Sequence, residues 1–331
     1  MRAAKRMFTK SMFTKRMFKL GLAGLAWATG ASAWAQADAQ TLNYHLKATE
    51  VAPQVWVFEA PVEDFSKANG CNIINTGVIA TEQGQIVINT GVSKRYGEQQ
   101  RAAVQALSAA PVRQVVNLNL HPDYFFGNQA WADVGVQALA GTIAGQQREG
   151  PAYEDNLYRL CGDWMRDSAS SPAQHTLTPG PQALGQHRLI WQRLHGHTDD
   201  DLVLIDTHAK VLFAGGLIFK DRVPTAPHAD IAAWREALGQ LRALIAEHGL
   251  TTIVPSHGPV HHDLSGLTQT LDWLNWMDET FASSAQAGRD LGEVMRLPVP
   301  ARFQAWAAMP DEYLRSVTYL YPRYELQAMG Q

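Results

Sequence analysis

The segment Asn117-Leu-Asn-Leu-His-Pro-Asp-Tyr-Phe-Phe-Gly-Asn128 follows an apolar run, Val112–Val116, so His121 and Asp123 fall where a strand gives way to a loop. Loops at strand ends, held by a rigid sheet, commonly carry reactive groups. An imidazole and a carboxylate two residues apart can approach one small ion from one loop. Zinc takes such nitrogen and oxygen donors in tetrahedral or slightly larger shells. Two further histidines occupy similar places. His197 lies in Leu194-His-Gly-His-Thr198, after a strand and before a run of three aspartates. His257 lies in Val254-Pro-Ser-His-Gly-Pro259, directly after another strand. One such histidine is an ordinary surface or core residue; three at three strand ends make a candidate site.

The surrounding pattern alternates strands and helices in two successive halves. Alternation and β-branched residues predict strands at Val55–Phe58, Asn72–Ala80, Gln85–Asn89 and Val112–Leu120. A helix capped by Ser93 is expected to run to about Ala109. The second half predicts strands near Arg188–Leu194, Asp201–Asp206 and Lys210–Ala214. A helix from about Asp230 to Gly249 and a short strand at Thr251–Val254 follow. From Leu264 the chain reads as helical, broken at Pro298, Pro300 and Pro310, with Trp273, Trp276 and Trp306 expected in a core. Residues 168–182, rich in Pro and Ser, read as a surface loop. The order predicts a layered α/β sandwich.

The composition, 46% hydrophobic and 18% charged over 331 residues, is that of a globular chain. The net charge of −3 conceals an asymmetry. Seven Lys and Arg lie between Arg2 and Lys19, with no acidic residue among them. A short apolar run, Leu20–Ala31, and Ala33-Trp34-Ala35 come next. This predicts a signal peptide over residues 1–35, a periplasmic location, and no stable membrane span after cleavage. Its removal leaves 21 cationic side chains against 31 acidic ones, a balance of −10 that disfavours nucleic acid as a partner. Export places Cys71 and Cys161 in an oxidising compartment, where they form either a disulfide or two separate buried thiols.

Taken together, Asn117–Tyr124, Gly196-His-Thr198, Ala214-Gly-Gly216, Pro255-Ser-His-Gly258 and Val87-Ile-Asn-Thr-Gly91 resemble the metallo-β-lactamase-fold hydrolases. That resemblance implies an αββα sandwich over residues 36–262, with a helical C-terminal extension, 263–331, packed on it. A closer resemblance is to the exported quinoprotein relay system zinc metallohydrolases. It rests on His197-Thr-Asp-Asp-Asp-Leu202, Leu212–Phe219, Arg222-Val-Pro224, the Trp234 helix and Ser316–Leu326. It implies a periplasmic quinone-cofactor dehydrogenase or a cytochrome as partner.

The chain departs from the family pattern at four places. Asn119 stands where the first histidine belongs, Tyr124 replaces a histidine, Gly216 a bridging aspartate and Asn89 a supporting aspartate. Without a bridging carboxylate two divalent cations repel at close range, so a mononuclear zinc is expected. Its ligands are drawn from His121, Asp123, His197 and His257, with Asp123 as ligand or catalytic base and Asn119, Tyr124 and Gly216 shaping the pocket. The resemblance implies hydrolysis of an ester, thioester or amide small-molecule substrate, glutathione thioesters and β-lactams being narrower cases. The alternative is a non-catalytic accessory or binding protein on the same scaffold. Ser256 and His257, adjacent in an extended segment, are expected to point apart. His261-His262 read as a surface pair, His195 as a site-lining or strand residue, and Lys220 and Arg222 as surface charge. Gly215-Gly216 lacks the third glycine of a dinucleotide fingerprint.

Overall fold

The computed structural model describes residues 42–330, and the leader expected over residues 1–35 lies outside them. Two mixed sheets are stacked. The first contains, in spatial order, β1 (Ala48–Ala52), β2 (Val55–Phe58), β3 (Thr76–Thr81), β4 (Gly84–Ile88), β5 (Val112–Val116), β6 (Val136–Ala138) and β7 (His175–Thr176). It is antiparallel as far as β4 and parallel beyond. The second contains β8 (Gly180–Leu184), β9 (His187–Leu194), β10 (Asp201–Asp206), β11 (Val211–Phe213) and β12 (Thr252–Val254), antiparallel except for the β11–β12 pair.

The period-2 geometry of strands sorts the apolar residues into layers. On β4, Ile86 and Ile88 face the second sheet, whereas Val87 faces outward. On β10, Leu202 and Leu204 face the first sheet, whereas Val203 and Ile205 face outward. The outer face of the first sheet is covered by α1 (Lys94–Leu107), whose N-cap Ser93 accepts from the Tyr96 amide. Two more helices follow in that half, α2 (Pro122–Phe125) and α3 (Ala140–Cys161). The outer face of the second sheet packs on α4 (Ile231–His248), with Asp230 as N-cap and Gly249 in the left-handed conformation as C-cap. The same apolar cluster takes in α5 (Ser265–Gln286), α6 (Leu291–Met295), α7 (Ala301–Gln304) and α8 (Asp311–Ala328), through Trp273, Phe303, Tyr313 and Val317. The fold is therefore the αββα sandwich with C-terminal helices that the sequence predicts.

Two local expectations are corrected. The stretch 168–182 does not stay a loop: backbone pairing with β6 and β9 draws His175–Thr176 and Gly180–Leu184 into sheet edges. The strand expected to reach Leu120 stops at Val116: the Asn117 amide still donates to the Gln137 carbonyl of β6, but the Leu118 amide turns to Asn89 Oδ1 and its carbonyl accepts from Leu202 of the other sheet. Cys71 and Cys161 are joined in a disulfide, tying the end of α3 to the segment before β3.

Candidate functional site

Asparagine side chains hold the loop that carries His121 and Asp123. Asn89, at the end of β4, adopts a left-handed backbone and accepts the Leu118 amide on Oδ1 at 2.9 Å. That conformation is one that asparagine tolerates better than most residues. The Asn117 amide donates to the Tyr124 carbonyl at 2.9 Å and receives Asn128 Nδ2 at 2.9 Å. The chain therefore bends back on itself, and Pro122, with its preset φ, opens α2 directly after His121. His257 is held from the opposite sheet. Asn75 donates to the carbonyls of Pro255 and Gly258 at 3.0 and 2.7 Å, and the His257 ring stacks on Phe219 at 4.9 Å.

His121, Asp123 and His257 line one cavity of about 590 Å³. His228, from the loop before α4, joins them there; sequence reading passed over it, and its only signal was a lone histidine after Pro227. These four side chains form two pairs. His121 Nε2 lies 3.1 Å from His228 Nδ1. His257 Nε2 donates to Asp123 Oδ2 at 2.8 Å while its Nδ1 accepts from Ser256 Oγ at 2.9 Å. Burial lowers the pKa of His121 well below the ordinary histidine value, with the neighbouring His197 and His228 adding to the effect. Burial also lowers those of His228 and His257, Asp123 opposing it at His257. All three imidazoles are thereby favoured in their neutral form.

His197, Asn119, Tyr124 and Gly216 lie behind this wall and are not among the residues that line the cavity. Asn119 Nδ2 donates to Asp201 Oδ1 at 2.7 Å and to Thr198 Oγ1 at 3.1 Å, and its Oδ1 accepts the His121 amide at 3.2 Å. Asp201, with no exposure, also receives the amides of His197 and Thr198, each at 3.0 Å. The His197 ring is enclosed by His121, Phe219 and Trp234, and its Nε2 is buried without a partner. Tyr124 is fully buried, and burial, with the nearby Asp123 adding to it, pushes its pKa well up, which opposes a phenolate ligand.

An open zinc site needs three protein donors. Among the described residues no three His, Cys, Asp or Glu side chains converge on one point. His121 is turned to His228, Asp123 to His257, and Asn119 uses its amide within the interior. The position expected for a bridging carboxylate is filled as well: a Cβ on Gly216 would sit 2.0 Å from His197 Nδ1. The residues as arranged do not fit a zinc ion.

The remaining candidates sort plainly. Ser256 and His257 do not point apart, because the chain turns between them and brings Oγ onto Nδ1. Ser256 itself is buried and off the cavity wall. His195 is exposed and away from the cavity. His261 is buried although its neighbour His262 is exposed. Arg222 is not surface charge: it is 1% exposed, bonded to the Glu63 carbonyl and to Asp64 and Glu312, and lines the cavity. Lys220 is half-buried and donates to Ser265 Oγ.

A double-sheet sandwich with histidines at its strand ends is the arrangement of the metallo-β-lactamase class of fold. The profile of the metallo-beta-lactamase superfamily matches residues 69–257, more than half the chain, and the chain belongs to that family. Members of this superfamily are typically zinc-dependent. No curated protein sequence matches the chain. Among solved structures it is similar to a metallo-beta-lactamase from Pontibacter korlensis, with 23% identity and a TM-score of 0.56 over 70% of this chain and 99% of that one. The metallo-beta-lactamase FIM-1 from Pseudomonas aeruginosa, in its mono-zinc form, gives 20% identity and a TM-score of 0.55 over 70% and 96%. That of Hirschia baltica gives 18% and 0.53 over 69% and 97%. At these identities the likeness is one of fold.

Proposed function

We propose that this chain is an exported, non-catalytic binding member of the superfamily, which uses the cavity to hold a small molecule in the service of a periplasmic quinoprotein dehydrogenase system. One observation carries the reading: the inherited donors that reach the cavity are turned onto protein partners, His121 onto His228 and Asp123 onto His257. The hydrogen-bonded Asn119–Asp201 network and the His197 ring beside Gly216 support it, since both fill space that metal chemistry would need. The basic leader and the resemblance to the quinoprotein-associated branch support the compartment and the partner, a dehydrogenase or cytochrome.

A second reading is the mononuclear zinc hydrolase acting on an ester, thioester or amide, with ligands from His121, Asp123, His197 and His257 and Asp123 as base. The buried, unpartnered His197 Nε2 favours it. FIM-1, a protein of the same fold, has been seen in a mono-zinc form. Metal content separates the two. Protein spanning residues 36–331, purified without chelator and titrated with zinc, is expected to retain less than stoichiometric metal. About one zinc per chain, lost on His121→Ala or His197→Ala, overturns the binding reading and establishes the second.

A further inference from the structure

The cavity has a wall that the family profile does not reach. Helix α8 lies beyond residue 257 and brings Asp311, Glu312 and Arg315 to it; from within the matched span, α3 adds Glu149 and Tyr153 to the cavity. The charge on the lining is lopsided. Five carboxylates, those of Asp64, Asp123, Glu149, Asp311 and Glu312, face two guanidiniums, those of Arg222 and Arg315. Both guanidiniums are already held by Glu312 Oε1, at 3.2 and 2.7 Å, and Arg222 also by Asp64 at 3.3 Å. Asp311 makes no ion pair among the described residues. Glu312 is 1% exposed, and its second oxygen, Oε2, is buried with no hydrogen-bond partner. A buried carboxylate oxygen left unpaired is costly, and a ligand that donates to it recovers that cost.

The rest of the lining includes Phe65, Ile73, Leu160 and the Tyr153 ring. A cavity of about 590 Å³ with an apolar majority suits a small organic molecule. A bare metal ion suits it poorly, because the carboxylates are spread over the walls and no three donors converge.

Building on the binding reading, we propose that the cavity selects a small molecule joining an apolar body to a protonated amine, and that Glu312 of the C-terminal extension accepts the ammonium group. Asp311 adds long-range attraction at the rim, and Glu149, paired with Arg148 at 2.8 Å, adds a smaller share. Molecules carrying a carboxylate are repelled by the same field.

The test uses three probes with one body and three heads: 3-phenylpropylamine, 3-phenylpropan-1-ol and 3-phenylpropanoate. Each is titrated calorimetrically into the purified, disulfide-intact protein at neutral pH. The amine is expected to bind about tenfold more tightly than the alcohol and the carboxylate most weakly, with added salt weakening the amine, relieving the carboxylate and leaving the alcohol unchanged. Glu312→Gln is expected to bring the amine down to the alcohol. Because Glu312 also holds Arg222 and Arg315, the double variant Glu149→Gln/Asp311→Asn provides an independent reading. It should weaken the amine severalfold and leave the alcohol unchanged. If alcohol or carboxylate binds as tightly as the amine, the cavity is a binding site and the head-group inference is wrong. If the amine's advantage survives both variants, the inference is also wrong. If no probe binds, it falls as well, while the binding reading is judged separately by zinc content.

Discussion

Asn119 and His121 stand two residues apart on one loop, yet they belong to different parts of the molecule. Asn119 faces inward, to Asp201 and Thr198, in a network closed to the cavity. His121 faces outward, to His228 and the cavity. The second sheet repeats the division: His197 is enclosed behind the wall, and His257 stands on it. The motif positions have thus separated into an inner half that fastens the two sheets and an outer half that faces the cavity. The same residue type at a motif position does not imply the same work.

The sharpest way to break this division is to compare two aspartates. Asp201→Ala would leave two backbone amides without an acceptor and take one of two acceptors from Asn119 Nδ2 and from the Thr198 hydroxyl, all in the interior. We expect a loss of about 3–5 kcal/mol in stability. Asp123→Ala frees only His257 Nε2, at a cavity wall where a ligand or water can replace the bond. Its expected cost is about 1 kcal/mol. Urea titration of both variants under oxidising conditions checks the order. Equal losses would mean that the two halves are not functionally distinct.

The layers were legible in the sequence; the division was not. The apolar run Leu202–Ile205 between two aspartates marked β10, and Asp230 and Gly249 marked both ends of α4, because caps and short apolar runs are local properties. Helix α3 went unread. It contains Gly141, Gly145, Gly150 and Pro151, which normally argue for a loop. Tertiary packing overrides that signal: at Gly145 a Cβ would meet Leu120 Cδ2 at 2.8 Å, so the glycine is the point of contact with the site loop. In the site, the strand-end histidines and Asp123 could be found from sequence alone. Whether Asn119 faced metal, ligand or protein could not, since its partner Asp201 lies 82 residues away. His228 was equally hidden, being paired with a residue 107 positions distant.

Gly216 tests the inner half at a second point. Its Cα packs against the His197 ring so closely that a Cβ would lie 2.0 Å from Nδ1. Gly216→Ala must displace that ring, and we expect a destabilisation of about 1–3 kcal/mol. In a double-mutant cycle, His197→Ala should relieve part of that cost, giving a coupling of about 1 kcal/mol or more. Gly216→Asp, which restores the family's carboxylate, is then expected to destabilise the fold without raising zinc content. A stable, zinc-retaining Gly216→Asp variant would show that the ring yields readily and the inner half is not fixed.

The smallest effect distinguishes the outer half by its response to acid. His121, His228 and His257 all have folded-state pKa values lowered by burial, so in the fold they stay neutral at pH values where the unfolded chain is protonated. Unfolded histidine titrates near about 6.5. Below that pH the unfolded state binds more protons than the folded one, and stability falls as pH falls toward the folded values; above about 6.5 this contribution is complete. His228→Gln removes one of the three groups at the half-buried edge of the cavity. It should leave stability at pH 8 within about 0.5 kcal/mol of the parent and flatten the decline below about 6.5. Unfolding midpoints between pH 8 and 5 measure both. A decline as steep in His228→Gln as in the parent would transfer the acid sensitivity to His121 and His257, whose nearer approach to the inner network would then blur the boundary between the halves.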